Sequence, residues 1–453
     1  MKIDLAVAEI GSTTTIVNAF DDISGDARFI GQGVGYTTVL EGDVRIGLSN
    51  AFKDLEKTLG EKIEAKEMFA TSSAAGGLKM CVHGLVYDMT VKAAHAAALG
   101  AGAIVKLATA GKLHDYDIDE IRDIAPNLIL IAGGTDYGER ECALHNARLI
   151  AKSGINVPVI YAGNVQNQKI IAQIFREANV PCYIVENVYP KLDLLNIEPT
   201  RRKIHDVFEE HIIKAKGMEH VRDMVNGPII PTPGAVMEAA KLLYEDIGDL
   251  VVIDIGGATT DVHSVSLGSE AIASIQTTPE PFAKRTVEGD LGLFVNARHV
   301  IESIGKDKLE RELSLDIDKE LETYTPIPQT SAHTKIAQRL CVEAGVKAFM
   351  RHAGSLRYVY TPSGRQTLAE GKDLTLVKYV IGTGGALTRL PERERLLREI
   401  ANCNANGTML APAPDEAEIL FDDDYIFASA GVIAKKYPQA ALKLMKNSMK
   451  WRN

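Results

Sequence analysis

The sequence predicts an α/β protein built from two similar halves, with a parallel α/β unit inserted between them. Three observations carry that expectation. A β-rich run near the N-terminus bends at a glycine- and hydroxyl-rich turn, the same arrangement returns near residue 250, and between the two lies a series of wholly apolar strands alternating with helices.

Residues 3 to 8 read as a strand, GSTTT as a turn, and IVNAF as a second strand. The glycine-punctuated RFIGQGVGYTT reads as a third. VRIGLSNAFKDLEKTL follows as a helix with Val44, Leu48, Phe52, Leu55 and Leu59 at helical spacing, and EMFATSS as a strand. From about residue 80 to 195 the texture changes. MTVKAAHAAALGAGAIVKLA and IDEIRDI read as helices before the apolar strand NLILIAGG. Helix CALHNARLIAKSG then precedes strand VPVIYAGN, and helix QKIIAQIFREA precedes strand VPCYIVENV. Apolar strands that alternate with helices belong to a parallel sheet covered on both faces, here a Rossmann-like insert.

Residues 200 to 247 read as helical, with PIIPTPG as a proline break before AVMEAAKLLYEDI. The hairpin pattern then recurs as strand LVVIDI, turn GGATT and strand DVHSVSL, which implies a duplicated half. Charged helices over about 290 to 330 lead to helix TKIAQRLCVEAGVKAFMRHAG, strand and turn LVKYVIGTGGAL, helix PERERLLREI and a C-terminal helix YIFASAGVIAKKYPQAALKLM. The expected division is residues 1–79 as the first part of lobe I, 80–195 as the insert, and 196–248 as a helical return ending in a connecting helix. Residues 249–425 form lobe II and 426–453 a second connecting helix.

At 453 residues the chain exceeds one ordinary core, and 46% hydrophobic with 24% charged residues is the composition of a soluble globular protein. The net charge of -10, without a dense Lys/Arg run interleaved with aromatics, argues against a nucleic-acid partner. Arg201, Arg202 and Lys203 read as a solvated helix face. In MKIDLAVAEIGS the apolar run is broken by Asp4 and Glu9, so neither a secretory signal nor a membrane span is expected, and a cytoplasmic protein is. The cysteines at 81, 142, 182, 341 and 403 form no CxxC and read as buried apolar residues. His83, His95, His114 and His145 are too scattered for a metal site.

The chemistry concentrates in three segments. In IDIGGATTDV, Gly256 and Gly257 permit a tight bend with exposed N–H groups, and Thr259 and Thr260 add hydroxyl donors for a phosphate oxygen. Asp254 and Asp261 place carboxylates where an anion should bind, which makes sense if Mg²⁺ lies between them and the phosphate. AEIGSTTTIV, with Glu9, Gly11, Ser12, Thr13 and Thr14, repeats the design at the N-terminus. In VIGTGGALTRL, Gly382, Gly384 and Gly385 follow a β-branched strand and let backbone approach a flat ring or ribose. No GxxxxGK[ST] occurs, and no GxGxxG stands in a first βαβ unit.

In this order the three segments resemble the phosphate-1, phosphate-2 and adenosine motifs of the actin, Hsp70 and sugar-kinase superfamily. PTPGAVMEAAKLLYEDI resembles its first connecting helix, and FASAGVIAKKY its second, with Gly431 at the close-approach position. The resemblance implies an actin-like, ribonuclease H-like duplicated fold with two lobes around a nucleotide cleft. ATP or ADP and Mg²⁺ would be bound, with Gly11 to Thr14 and Gly257, Ala258, Thr259 and Thr260 toward the phosphates, Gly384, Gly385 and Ala386 by the adenosine, Glu9, Asp254 and Asp261 toward the metal, and Asp254 and Glu9 toward the chemistry. Within the superfamily, AEIGSTTTIVNAFD, ATSSAAGGLKM, LILIAGGTDYGE, YAGN and RTVEGDLGLFVNAR resemble the MutL (GlmL) family, which is unrelated to mismatch-repair MutL. That resemblance implies an ATP-dependent chaperone or reactivating factor for an adenosylcobalamin-dependent mutase such as glutamate mutase, and the texture of residues 80–195, apolar strands with GG or GN turns, makes that insert the part expected to meet the mutase subunit. Glu9 departs from the superfamily pattern, which has Asp there. A small-molecule kinase of the same fold and an ATPase activator of a radical enzyme stay open as alternatives, as does the oligomeric state.

Overall fold

The computed structural model describes residues 1–453 except 12–13, 40, 74–77, 213–216, 219, 362–363, 405–406 and 452–453, and except the side chains of 209, 211, 212 and 361. The chain divides into two compact units, residues 1–239 with 428–444, and residues 240–427 with 445–453.

In the first unit β1 (Lys2–Ile10), β2 (Thr14–Asp21) and β3 (Arg28–Tyr36) form an antiparallel meander, on which α1 (Val44–Leu59) packs. Asp43 caps α1 by accepting the Arg45 N–H at 2.9 Å, and Gly60 closes it in the left-handed conformation. β4 (Glu64–Ser72) returns parallel to β1. The insert follows as β5 (Lys79–Gly84), α2 (Lys92–Gly100), β6 (Ile104–Ala110), α3 (Asp115–Ile124), β7 (Leu128–Ile131), α4 (Glu141–Lys152), β8 (Val159–Tyr161), α5 (Gln168–Glu177), β9 (Cys182–Ile184) and α6 (Glu198–Ile212). Its five strands are all parallel, in the doubly wound order β6-β5-β7-β8-β9. After a short α7 (Val221–Met224), β10 (Ile229–Pro231) pairs parallel with β4 and leads directly into α8 (Thr232–Ile247).

The second unit opens with β11 (Leu250–Ile255), β12 (Thr260–Val265), a short α9 (Glu270–Ala273) and β13 (Ala283–Glu288), again an antiparallel meander. Helices α10 (Ala297–Ile304), α11 (Lys306–Leu313), α12 (Ile317–Leu321) and α13 (Ser331–His352) precede the hairpin β14 (Gly354–Thr361) and β15 (Gly364–Glu370). Then come β16 (Tyr379–Thr383), α14 (Gly384–Arg389), α15 (Arg393–Ala401), β17 (Met409–Leu410), β18 (Glu418–Phe421), α16 (Phe427–Ile433) and α17 (Pro438–Ser448). β16 lies parallel to β11, and β18 parallel to β16.

Two of the three five-stranded sheets therefore have the same order, β3-β2-β1-β4-β10 and β13-β12-β11-β16-β18, each with three antiparallel strands and then two parallel ones. This is the duplicated ribonuclease H-like arrangement of actin-like ATPases, and the third sheet is the Rossmann-like insert. Each sheet buries its apolar faces as its pattern requires. β7 reads LILI because Leu128 and Leu130 enter one core with Ala8, Ile10 and Met80, while Ile129 and Ile131 enter another with Ile121, Ala147 and Phe175.

Several elements depart from the sequence reading. Ile104–Ala110 is a strand, not the end of a helix: Gly102, with a positive φ of 90°, stops α2 and turns the chain into β6. β5, β13, β18 and the β14–β15 hairpin were not anticipated. The break at PIIPTPG is β10, where Pro231 ends an edge strand and Pro233 occupies the first turn of α8, both positions that need no N–H donor. The C-terminal helix is two helices, because Pro438 can begin α17 but cannot continue α16. The layer over the insert also runs past residue 195. Ile204, Val207 and Phe208 of α6 share the core of Ala93 and Ala97 on α2. All five cysteines are free, with Cys81, Cys142 and Cys341 buried.

Candidate functional site

The two hairpins are built alike. Across β1 and β2 the last pair before the turn is Ile10 with Thr15, and across β11 and β12 it is Ile255 with Thr260, so each turn holds four residues. The Gly11 N–H donates to the Thr14 carbonyl at 2.9 Å, and the Gly256 N–H to the Thr259 carbonyl at 3.0 Å. Ser12 and Thr13 lie outside the described residues.

In the second turn the carbonyl side is occupied. The N–H of Leu293 donates to Gly256 O, those of Phe294 and Val295 to Gly257 O, and Asn296 Nδ2 to Ala258 O at 2.9 Å. Thr260 Oγ1 donates to Leu291 O at 2.7 Å. With its carbonyls tied back, the turn directs its amides the other way. Among the described residues the N–H groups of Gly257, Ala258 and Thr259 meet no acceptor. Three successive amides on a half-exposed turn suit a phosphate oxygen.

The three acids have different surroundings. Asp254 is half-buried, and among the described residues no donor reaches its carboxylate. Burial and then the Asp261 charge, with a further push from Asp422, raise its pKa to about 7 against the pull of Arg285. A carboxylate so placed suits a hydrated cation. Asp261 is buried and already neutralised: Arg285 on β13, itself 3% exposed, meets its Oδ1 through Nη2 at 2.6 Å and Nε at 2.8 Å, and Thr259 Oγ1 donates to Oδ2 at 3.0 Å. Glu9 is buried as well. Its Oε1 accepts Ser429 Oγ–H at 2.6 Å, Asn18 Nδ2 at 3.1 Å and the Ser429 N–H at 3.2 Å.

The glycine turn after β16 comes against β11, since Asp254 pairs in register with Thr383. Gly384 has φ +79°, and a Cβ there would stand 2.2 Å from Asp254 Oδ1, so the close approach requires glycine. Gly385 is exposed with open space about it, and Ala386 is half-buried. Gly382 faces inward, where a Cβ would press on Leu397 and Leu387. Gly431 packs α16 on α8: a Cβ would lie 1.8 Å from Ala235 O. The second unit thus gathers Asp254, residues 256–261 and residues 384–386 at the carboxyl ends of β11 and β16, while Glu9, Gly11, Thr14 and Gly431 belong to the first unit.

Sequence reasoning missed Arg285, Asn296 and Asp422. Asp422 is fully buried and accepts the Ile426 and Phe427 N–H groups, Ser448 Oγ–H and Thr383 Oγ–H, tying the start of the glycine turn to the start of α16. Burial holds its carboxyl above the usual range. The run FDDDY before an apolar helix was the available signal for such a cap. In the insert, buried Asn164 and Asn187 pin the loops at the carboxyl ends of β7 to β9. Asn164 Nδ2 donates to Gly138 O and Glu139 O, and Asn187 Nδ2 to Gly134 O and Asp136 Oδ1.

A family model described as MutL protein matches residues 5–449. The Protein MutL of Clostridium tetanomorphum is 38% identical over 454 residues, covering 97% of each chain. Among solved structures, a glycerol dehydratase reactivase aligns over 95% of this chain and 99% of its own at 11% identity and TM-score 0.36. Component A of the (R)-2-hydroxyglutaryl-CoA dehydratase of Acidaminococcus fermentans covers 98% and 99% at 9% identity and TM-score 0.30. Xylulose kinase from Bifidobacterium adolescentis covers 97% and 92% at 9% identity and TM-score 0.30. At these TM-scores the likenesses carry no inference.

Proposed function

The chain belongs to the MutL protein family, and on that premise we propose that it is an ATP-binding reactivating factor for an adenosylcobalamin-dependent aminomutase, glutamate mutase or a relative. ATP would be hydrolysed slowly with Mg²⁺, and the work done would be release of damaged cobalamin from the mutase. The observation that carries the nucleotide reading is the turn at 256–259, where among the described residues the Gly257, Ala258 and Thr259 amides meet no acceptor while the Gly256, Gly257 and Ala258 carbonyls are bound by residues 293–296. The phosphate would rest on these amides, with the Thr259 hydroxyl adjacent, and Gly11, Ser12, Thr13 and Thr14 are proposed as the phosphate turn of the first unit. Asp254 would hold the hydrated Mg²⁺. Gly384, Gly385 and Ala386 would accommodate the adenosine. Positioning and charge neutralisation supply most of the catalysis in phosphoryl transfer, so a site with few reactive side chains is sufficient.

The mutase as partner is supported by the resemblance of LILIAGGTDYGE, YAGN and RTVEGDLGLFVNAR to the family. The insert would present to it the loops at the carboxyl ends of its strands, the edge where ligands of doubly wound sheets gather. There Tyr137, 78% exposed and at φ +63°, is held out from the Asn164-braced loop.

The test is reactivation. A cyanocobalamin-inhibited aminomutase is incubated with this protein, Mg²⁺, adenosylcobalamin and either ATP or no nucleotide. Recovery that requires ATP is expected, and equal recovery with and without the protein sinks the reading. A phosphorylated sugar or carboxylate appearing in stoichiometric amount would assign the site to a kinase instead.

A further inference from the structure

Glu9 stands where the second hairpin carries the shorter Asp254, and its surroundings explain why. It lies on β1 one residue before the last cross-strand pair of the hairpin. Three donors converge on its Oε1, two of them from Ser429 in the first turn of α16. The cluster continues outward, since Asn18 Nδ2 also donates to Ser429 Oγ at 2.8 Å and Gln32 Nε2 donates to Asn18 Oδ1 at 2.8 Å. Asn18 is fully buried, as is Ser429, and both belong with Glu9 to the first unit. A buried carboxylate held by several charge-assisted bonds has one orientation, and removing a donor exposes the full desolvation cost.

We infer that Ser429 and Asn18 are positioning residues of the N-terminal phosphate hairpin, acting through Glu9, and that Glu rather than Asp occupies position 9 because the extra methylene lets the carboxylate reach α16. This rests on the nucleotide reading given above. Ser429 sits two residues before Gly431, whose contact with Ala235 sets how closely α16 approaches α8. The same turn of helix is therefore fixed on one side by packing and on the other by the Glu9 carboxylate.

The test uses the full chain with Ser429→Ala, Glu9→Asp, the double variant and the conservative Ser429→Thr. Two quantities are measured: the urea-unfolding midpoint without nucleotide, and the dissociation constant for Mg–ATP with the Mg²⁺ dependence of hydrolysis separated into KM and kcat. Each single change is expected to lower the midpoint and weaken Mg–ATP binding about tenfold, the size expected for one lost bond to a charged group. The double variant should be no worse than the poorer single one, because both remove the same contact, and Ser429→Thr should stay close to wild type. Additive losses, or lowered stability with Mg–ATP binding unchanged, overturn the proposal. Should Ser429→Ala fail to fold, Asn18→Ala removes a different donor to the same oxygen and is held to the same outcomes. Wild-type protein that binds no Mg–ATP overturns the nucleotide reading and this inference with it, whereas binding unchanged by the substitutions overturns this inference alone.

Discussion

Asp254 stores its functional potential as instability. A carboxyl raised to about 7 from an ordinary value near 4 contributes stability below pH 4 that is lost as pH rises through 7, because the folded state resists ionisation. Asp254→Asn is therefore expected to raise the unfolding midpoint at pH 8, to lose that advantage at pH 4, and to lower ATP turnover about a hundredfold, as removal of a charge-stabilising group does. Urea titrations at the two pH values and a phosphate-release assay check both halves. Arg285 has the opposite character. Replacing it with methionine leaves Asp261 buried and unpaired, at a cost of about 3–5 kcal/mol. Chemical denaturation of Arg285→Met measures that loss, and a change under 1 kcal/mol would show the ion pair to be dispensable.

At the level of elements, the duplicated hairpins share their turn length and closing bond and differ in the residue opposite the acid. Opposite Glu9 stands Ile16, while opposite Asp254 stands Asp261. One acid is thereby free to engage a helix, and the other is kept electrostatically frustrated at the carboxyl end of β11. The helices α8 and α16 are equally specific. Gly431→Ala drives a methyl into the Ala235 carbonyl, so the helices must separate, and overpacking of this kind costs about 1–3 kcal/mol. Thermal unfolding of Gly431→Ala should show a clear drop, and an unchanged midpoint would mean that the two helices tolerate a wider separation.

Across the whole molecule, histidines buried without charge set the acid limit. Burial lowers both His83 and His205 to about 4, so neither protonates in the fold at neutral pH. Their folded values lie below the unfolded one near 6.5, so the stability they contribute is complete above pH 6.5 and is lost as pH falls toward 4, by about 1.4 kcal/mol per pH unit for each. The slope of unfolding free energy between pH 6.5 and 4.5 should fall in His83→Asn, and an unaltered slope would assign acid sensitivity elsewhere. The sequence by itself determined the repeating strand–turn–strand units, the parallel insert and the places of the turns at 256–259 and after residue 383, because hydrophobic period and glycine-hydroxyl turns are written locally. Edge strands such as β6, only partly apolar, and β10, three residues long, escaped that reading because their pairing is supplied by distant neighbours. What became of each acid was likewise decided only in three dimensions. Arg285 lies 24 residues from Asp261 and Ser429 lies 420 from Glu9, and a carboxylate's charge and reach depend on which groups the fold brings to it.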